Sequence, residues 1–376
     1  MTRAVYDVVI VGAGIVGAAC AAEAARAGFR IAVVEAGFIG QGATAAGMGH
    51  IVVMDGSEAE FALTRYSRQL WQELAEELPP DCEYSRCGTL WVAADEQEMA
   101  ELERKRRFYS ERGVAVEVLD RQALAEAEPF LRPGLVGGLR VPDDSVIYPP
   151  AAARFLIERA QAAGATVLLG QTVVAITPEG VRLSDGSRLG AAKIVNATGS
   201  WSPDLMPEFP IAKRKGHLVI TDRYHGLVRH QIVELGYIKG AHGAMSEVVA
   251  FNVQPRPTGQ ILIGSSRQYG VETTTVDRQI LSRMLKRACH YLPALAGLSA
   301  LRVWTGFRAA TSDHLPFIGP VRDSDRIYLA TGHEGLGITM SLATAKLLVA
   351  HWLGEPSPIP LEPYLPSRRS LSLTHA

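Results

Sequence analysis

The feature that most constrains the fold of this chain is a strand–turn–helix–strand pattern in its first forty residues. A β-branched run at residues 7–11 leads into a glycine-rich turn, an alanine-rich helical segment follows at 18–27, and a second apolar run ends at Glu35. The glycines of the turn are Gly12, Gly14 and Gly17. In a dinucleotide-binding βαβ unit such glycines allow the tight turn, the approach of a pyrophosphate and close helix–strand packing, and the acid bonds a ribose hydroxyl. The pattern therefore predicts a dinucleotide site, without distinguishing FAD from NAD.

Length and charge limit the class of protein. With 376 residues, 47% of them apolar, the chain can bury a sizeable core and form two or three domains. The formal net charge is −1, whereas nucleic-acid-binding proteins usually carry an excess of basic residues. We therefore expect small-molecule or protein partners and no nucleic acid. The four cysteines show no metal-ligand spacing and no reactive pair, which predicts no metal site and fits a reducing compartment.

We expect neither a secretion signal nor a membrane span. The N-terminal residues are typical of a strand rather than of a signal peptide. The longest apolar stretch, residues 338–353, contains Lys346 and His351 and is too short to cross a bilayer. These patterns predict a cytoplasmic protein, with membrane association through a partner as the alternative.

Two later segments repeat the strand–glycine pattern of the first unit. A strand at 192–196 runs into Gly199, and a strand at 325–331 runs into a glycine turn at 332–337. Residues 207–306, between these two segments, are β-rich. The other predicted elements are helices at 59–78, 96–113, 151–163, 277–290 and 338–353, strands at 87–93, 166–169, 172–176, 217–221, 248–253 and 260–265, and a hairpin turn at 185–186. The nucleotide-binding domain is therefore expected to be assembled from separated pieces of chain.

A loop of Gly, Ala and Thr at residues 37–50 directly follows the ribose acid. Its small residues would leave the backbone open to a flat ligand, and Thr44 could hydrogen-bond a phosphate or a ribityl chain. The alternative is an ordinary flexible surface loop.

Four ordered motifs resemble the FAD-dependent superfamily of D-amino-acid oxidases and glycine or sarcosine oxidases. They are the segments 12–17 with Glu35, 196–201, 306–319 and 331–339. The resemblance implies FAD rather than NAD and an α/β (α+β overall) fold. In that fold a Rossmann-like FAD-binding domain (1–80, 145–203 and 311–376) interleaves with a β-rich substrate-binding domain (81–144 and 204–310).

The resemblance also implies functional residues along most of the chain. The residues expected to bind FAD are Gly12, Gly14, Ile15, Val16, Gly17, Glu35, Ala36, Thr44, Ala45, Ala46, Gly47, Met48, Val173, Gly199, Trp201, Arg308, Gly332, Gly335, Leu336, Gly337, Ile338 and Thr339. The residues expected at the substrate are Arg308, His50, His333 and Met48. Backbone N–H groups of the turn after Gly332 would stabilise the negative charge of reduced flavin.

Arg308 is the residue for which the resemblance implies the most specific role. In the superfamily an arginine at this motif position binds the substrate carboxylate, which suits the forked guanidinium group. The alternative is a structural ion pair with Asp313. For His50 and His333 the alternative to a place in the pocket wall is a purely structural one.

The chemistry implied is hydride transfer from the α-carbon of an unprotonated amine to flavin N5, which gives an imine without a dedicated base.

Differences from the superfamily's motifs limit the subfamilies to which this chain can be compared. No cysteine lies within 302–319, where monomeric sarcosine oxidases attach their flavin, so FAD is expected to be non-covalent. Leu262 stands where those oxidases carry an oxygen-activating lysine, and Gly335 stands where glycine oxidases carry an arginine.

The loop at 45–55 resembles that of the catalytic β subunit of heteromeric D-hydroxyproline dehydrogenases and related opine or proline dehydrogenases. This implies a cyclic secondary D-amino acid such as cis-4-hydroxy-D-proline as substrate, and partner subunits that carry flavin or iron–sulfur centres. Lys213, Arg214 and Lys215 would then face the phosphate of a partner FMN, although they also fit a solvated strand end. A free-standing, peroxide-producing amino-acid oxidase and an electron-transfer or scaffolding subunit with a vestigial site are the alternatives.

Overall fold

The computed structural model describes residues 5–177, 179–235, 247–322 and 324–368. Its helices are α1 (Ile15–Arg26), α2 (Ala43–Ala46), α3 (Glu58–Leu74), α4 (Glu96–Glu111), α5 (Arg121–Ala127), α6 (Pro149–Ala162), α7 (Ser202–Leu205), α8 (Arg278–Tyr291) and α9 (Gly337–Leu353). The C-terminal segment after Pro356 is rich in proline and serine, and its last residues, 369–376, lie outside the described residues.

The strands follow the chain in the same order. They are β1 (Val5–Val11), β2 (Ile31–Glu35), β3 (His50–Ile51), β4 (Thr89–Ala93), β5 (Glu117–Asp120), β6 (Gly137–Val141), β7 (Ser145–Val146), β8 (Thr166–Leu169), β9 (Val173–Thr177), β10 (Gly180–Leu183), β11 (Arg188–Asn196), β12 (Ala212–Thr221), β13 (Gln231–Glu234), β14 (Glu247–Pro255), β15 (Ile261–Gln268), β16 (Ala300–Ala310), β17 (Phe317–Pro320), β18 (Ile327–Thr331) and β19 (His333–Glu334).

The first sheet is a Rossmann-like layer with the strand order β17-β18-β11-β1-β2-β8. β1 pairs in parallel with both β2 and β11, and β11 pairs in parallel with β18. α1 packs against α6 and α9, and its alanines are buried in one hydrophobic core with Val8 and Ile10 of β1. Small side chains allow this close helix packing, and the predicted βαβ unit is confirmed.

The second sheet brings strands from the middle of the chain together in the order β19-β16-β12-β15-β14-β13-β4-β6-β5. Side chains alternate between its two faces, as strand geometry requires. Ile232, Phe251 and Val253 pack with Met284 of α8 in an apolar core. The residues that alternate with them, such as Asn252, face a large cavity.

The mixed α/β fold expected from the sequence is confirmed. Several elements were not predicted. They include the short helix α2 inside the segment predicted as a loop, and also β5, α5, β6, β13 and the long strand β16. The domain boundaries remain a proposal, which rests on the parts of the chain that supply the strands of each sheet. β1, β2, β8–β11, β17 and β18 form the first sheet, while β4–β6, β12–β16 and β19 form the second.

No helix among the described residues is long and apolar enough to cross a membrane. Within the same residues, no group of three or more His, Cys, Asp or Glu side chains is arranged to hold a metal ion.

Candidate active site

A cavity of about 1180 Å³ is lined by residues of both sheets. One part is bounded by the β1–α1 turn, the end of β2 and α2. Another part is bounded by the N terminus of α9 and by one face of the second sheet. The cavity therefore joins the predicted dinucleotide site to the β-rich half of the protein.

The β1–α1 turn is held by two side chains from other elements. The Ala13 N–H donates to Oε2 of Glu35 and the Gly37 N–H donates to Oε1, both at 2.8 Å, so the carboxylate is fixed beside the turn. The Ile15 N–H donates to the Thr44 hydroxyl at 3.0 Å. Thr44 thus has a structural bond within the protein in addition to its predicted contact with the ligand.

Two helix N termini at the cavity suit a dinucleotide with a flavin. The residues that precede α1 and α9 provide no side-chain cap, and neither helix has an acidic residue in its first turn. At α1 the Ile15 N–H is bonded to Thr44 instead. The first N–H groups of a helix have no partner inside it and carry the positive end of the helix dipole. At α1 they suit a pyrophosphate, and at α9 they suit an electron-rich flavin edge. The residues present therefore fit FAD.

Most of the predicted FAD-binding residues line this cavity, and their contact with FAD remains a prediction. Those at its wall are Gly12, Gly14, Ile15, Val16, Glu35, Ala36, Thr44, Ala46, Gly47, Met48, Val173, Gly199, Trp201, Arg308, Gly332, Gly335, Leu336, Gly337 and Ile338. Three predicted residues are not at the wall: Gly17 packs on the Gly12 backbone, Ala45 is exposed, and Thr339 is buried. The Thr339 hydroxyl donates to the His50 carbonyl at 2.8 Å, which ties α9 to β3.

Arg308 lies on the cavity face of β16. Its Nη1 donates to the Ser266 carbonyl at 3.0 Å, and a Cβ built on Gly335 would lie 3.6 Å from its Nε. Asp313, the alternative ion-pair partner, instead accepts bonds of 2.7 and 3.0 Å from Arg368. Arg308 is therefore held beside the glycine turn that precedes α9.

His50 is held by two amide side chains of the second sheet. Its Nδ1 lies 2.7 Å from Oε1 of Gln231, and its Nε2 lies 3.4 Å from Nδ2 of Asn252. Burial lowers the pKa of His50 to about 4, the bond to Gln231 opposes this shift, and the positive charge of Arg308 adds to it. At neutral pH the ring is uncharged and is a weak base.

His333 and Met48 differ from His50 in what they contact. Nε2 of His333 lies 2.9 Å from the Thr344 hydroxyl of α9, and burial lowers the pKa of His333 to about 3. Met48 packs with Leu218 and Leu262, and its carbonyl accepts a 2.7 Å bond from Gln254. Both residues line the cavity, but the His333 ring is bonded within the fold.

Sequence reasoning missed the polar side chains that the second sheet contributes to the cavity. These are Thr89, Trp91, Gln231, Asn252, Ser265 and Arg267, joined by Asp55, Glu60 and Arg104 from nearby segments. The only signal available was a polar residue at a strand position otherwise occupied by apolar ones. That signal cannot show which strands become neighbours.

The interpretation of residues 213–215 as an exposed basic segment is wrong for two of its three members. Arg214 and Lys215 are each only 2% exposed. Arg214 forms an ion pair with Glu334, and Nζ of Lys215 donates to the Thr275 carbonyl at 2.5 Å. β12 is an inner strand that pairs with β16 and β15, and these two of its side chains are buried on the faces of the sheet.

His50 and His333 are expected to make the folded protein sensitive to acid. Their pKa values lie below the ordinary 6.5, so the unfolded chain binds protons first as the pH falls. Their stabilisation is complete above about pH 6.5 and is lost toward about pH 4 for His50 and 3 for His333. The loss is about 1.4 kcal/mol per pH unit for each histidine.

Denaturant titrations between pH 7 and 4 would measure this slope. His333→Gln is expected to remove one histidine's share of it, whereas His225→Gln, at an exposed position, is expected to leave the slope as it is. Equal slopes in the wild type and His333→Gln would contradict the shift assigned to His333.

A Rossmann-like layer and a cavity that fits a flavin dinucleotide beside a β-rich wall define a flavoprotein oxidoreductase. The chain belongs to the FAD dependent oxidoreductase (DAO) family, whose model matches residues 7–351. The predictions of an FAD-dependent enzyme and of this superfamily are thereby confirmed.

Two relatives and one solved structure cover nearly the whole chain. Glycine oxidase of Geobacillus kaustophilus (strain HTA426) is 30% identical in an alignment of 370 positions that covers 92% of each protein. Hydrogen cyanide synthase subunit HcnC of Pseudomonas aeruginosa is 27% identical over 423 residues, covering 96% of each. The crystal structure of glycine oxidase from Geobacillus kaustophilus matches with a TM-score of 0.88 at 26% identity, covering 98% of this chain and 100% of that one.

Proposed function

We propose that this protein oxidises the C–N bond of a small amino acid. The observation that carries the proposal is Arg308, which lies on the cavity face of β16 beside the Gly335 turn and the N terminus of α9. The relative named glycine oxidase supports an amino-acid substrate. A carboxylate bound by Arg308 would place the α-carbon next to the segment that fits the flavin.

The roles of this chain's residues follow from their chemistry. Arg308 would hold the carboxylate by charge-assisted bonds, and the apolar side chains of Met48 and Leu218 would exclude water from the reacting carbon. When bound, FAD accepts the hydride. Because the pKa of His50 is lowered to about 4, His50 is too weak a base to take the proton of the amine, and the amine must lose that proton to solvent before it reacts.

We further propose a cyclic secondary D-amino acid, such as cis-4-hydroxy-D-proline, as the substrate and a partner subunit as the electron acceptor. The resemblance of the loop at 45–55 supports this substrate, and Leu262 in place of an oxygen-activating lysine favours an acceptor other than oxygen. The relative HcnC is itself named a subunit. The burial of Arg214 and Lys215 removes the support for a partner FMN at that segment. We propose a cytoplasmic location, with any membrane association through the partner.

Anaerobic stopped-flow reduction of the bound flavin tests the reaction. We expect cis-4-hydroxy-D-proline or D-proline to bleach the flavin, because one cavity contains both Arg308 and the helix N terminus that fits the flavin. Glycine and sarcosine serve as comparison substrates, and acetate serves as a carboxylate without an amine. Failure of every amino acid in the panel to bleach the flavin would overturn the proposal.

A free-standing oxidase is the second candidate, and the glycine oxidase relative favours it. It predicts fast peroxide formation by the isolated chain. Reoxidation of the reduced flavin by oxygen and by an artificial dye separates the two candidates, since a dehydrogenase subunit is expected to react much faster with the dye.

A further inference from the structure

Three side chains from separate elements meet at the cavity in what we call the amide–imidazole cluster: His50 of β3, Gln231 of β13 and Asn252 of β14. His50 bonds Gln231 at 2.7 Å through Nδ1 and approaches Asn252 at 3.4 Å through Nε2. All three residues line the cavity, and the two amide residues are more than nine-tenths buried. The cluster is therefore a built part of the wall.

The hydrogen-bond pattern leaves an acceptor without a partner. Oε1 of Gln231 accepts from Nδ1, so that nitrogen carries the ring proton, and Nε2 can accept from the Asn252 amide. Oδ1 of Asn252 then has no hydrogen-bond partner among the described residues, although it is buried. A buried acceptor left unpaired is costly, so a donor from a ligand would stabilise the site.

The cluster carries no charge. The His50 ring is neutral at physiological pH because its pKa is lowered to about 4, and the other two members are amides. A charged substrate group placed there would lose its hydration without meeting an opposite charge, and an apolar group would leave the Asn252 oxygen unpaired. A neutral hydroxyl, which both donates and accepts, suits the cluster best.

The cluster lies within reach of a substrate bound to Arg308. Arg308 and His50 both line the cavity. Arg308 and Asn252 both line the cavity from the same sheet, on strands β16 and β14. The Thr339 hydroxyl donates to the His50 carbonyl. Thr339 directly follows Gly337 and Ile338, which line the cavity at the start of α9. The carboxylate site, the cluster and the flavin-facing helix thus surround one space.

We propose that the amide–imidazole cluster binds a neutral hydroxyl carried by the substrate, so that the enzyme selects hydroxylated amino acids over their unhydroxylated counterparts. This inference rests on the proposed function and adds a specificity site to it. Arg308 would bind the carboxylate, which both kinds of substrate have, and the cluster would bind the hydroxyl, which only one kind has.

The test compares cis-4-hydroxy-D-proline with D-proline in anaerobic flavin reduction by the holoenzyme. We expect wild-type kcat/KM to favour the hydroxylated acid by about tenfold or more, the effect of one buried hydrogen bond and its unpaired partner. Gln231→Met and Asn252→Leu remove the amides at similar volume and are each expected to lower that ratio about tenfold. Gln122→Met is the control, because it makes the same change at an exposed position on α5 that does not line the cavity. It is expected to leave the ratio unchanged.

A second readout does not depend on turnover. Tetrahydrofuran-2-carboxylate and its 4-hydroxy derivative have a ring oxygen in place of the amine and cannot be oxidised to an imine. Their binding, followed by the flavin absorbance, should show the same hydroxyl preference and the same loss in Gln231→Met.

The outcomes separate the two proposals. If no amino acid reduces the flavin, the proposed function fails. If both acids reduce it and the wild type shows no hydroxyl preference, or if Gln231→Met and Asn252→Leu keep that preference with FAD bound, the cluster has only a structural role and this inference is overturned. If one variant loses FAD, the inference is decided by the other variant and by the wild-type ratio of kcat/KM for the two acids.

Discussion

Arg308→Ala is expected to lower kcat/KM for amino-acid oxidation by about 10²–10⁴-fold while the protein keeps its FAD. Charge-assisted hydrogen bonds contribute roughly 1.5–3 kcal/mol each, and a forked guanidinium makes two to a carboxylate. The side chain lies at the cavity wall rather than in the β1–α1 turn, so its loss should affect substrate orientation more than cofactor retention. Stopped-flow reduction and the flavin-to-protein absorbance ratio measure the two effects separately.

Two further variants make this experiment specific. Arg308→Lys keeps the charge but loses the fork, so we expect an intermediate loss. Arg302→Ala removes an exposed arginine from the same strand and should change neither quantity. Release of FAD from Arg308→Ala with retained substrate affinity would show that Arg308 is not the carboxylate clamp. Unchanged turnover by a reconstituted complex would favour a vestigial site.

Local patterns made the dinucleotide half of this protein predictable. The strand–glycine–helix units at β1–α1 and β18–α9 each occupy one continuous segment, so periodicity and turn chemistry define them without knowledge of the rest of the fold. The structure moves their boundaries by only a few residues: the first helix begins at Ile15, directly after the turn, rather than at 18. The same segments supply most of the predicted FAD-binding residues.

The substrate wall was not predictable in this way because it is formed by long-range contacts. His50 meets Gln231 across 181 positions of the chain and Asn252 across 202. Nothing near any one of the three residues indicates the other two. Arg308 was found through its motif, yet the strand that carries it, β16, was missed because Arg302 and Gly306 interrupt its apolar pattern.

Burial of charge is a second property that the local sequence did not reveal. The segment 213–215 has the composition of a solvated strand end, but the side chains of Arg214 and Lys215 are buried in the second sheet. Arg214 therefore finds Glu334, 120 positions away, and Lys215 finds the Thr275 carbonyl. Buried charges require such partners, and a single segment of sequence does not show whether they exist.

Gly17→Ala is expected to destabilise the folded protein by about 3 kcal/mol and to yield protein with little bound FAD. A Cβ at this position would overlap the carbonyl oxygen of Gly12. Backbone rather than a flexible side chain receives the clash, so the turn itself must move, and overpacking that moves backbone lies at the upper end of its usual cost. Gly12 cannot adjust freely, since its φ is +103° and a Cβ there would lie 2.8 Å from the Ala197 carbonyl oxygen.

Gly297→Ala is the matched control, because a Cβ at Gly297 meets no atom within 4 Å and its φ is not left-handed. The flavin-to-protein absorbance ratio and the thermal midpoint, measured with and without added FAD, distinguish the two variants. Added FAD should raise the midpoint of the control and of the wild type, since a ligand that binds only the folded state stabilises it, and should raise that of Gly17→Ala far less. A Gly17→Ala protein that purifies with a full complement of FAD would mean that the turn does not need its close contact with α1 to bind the dinucleotide.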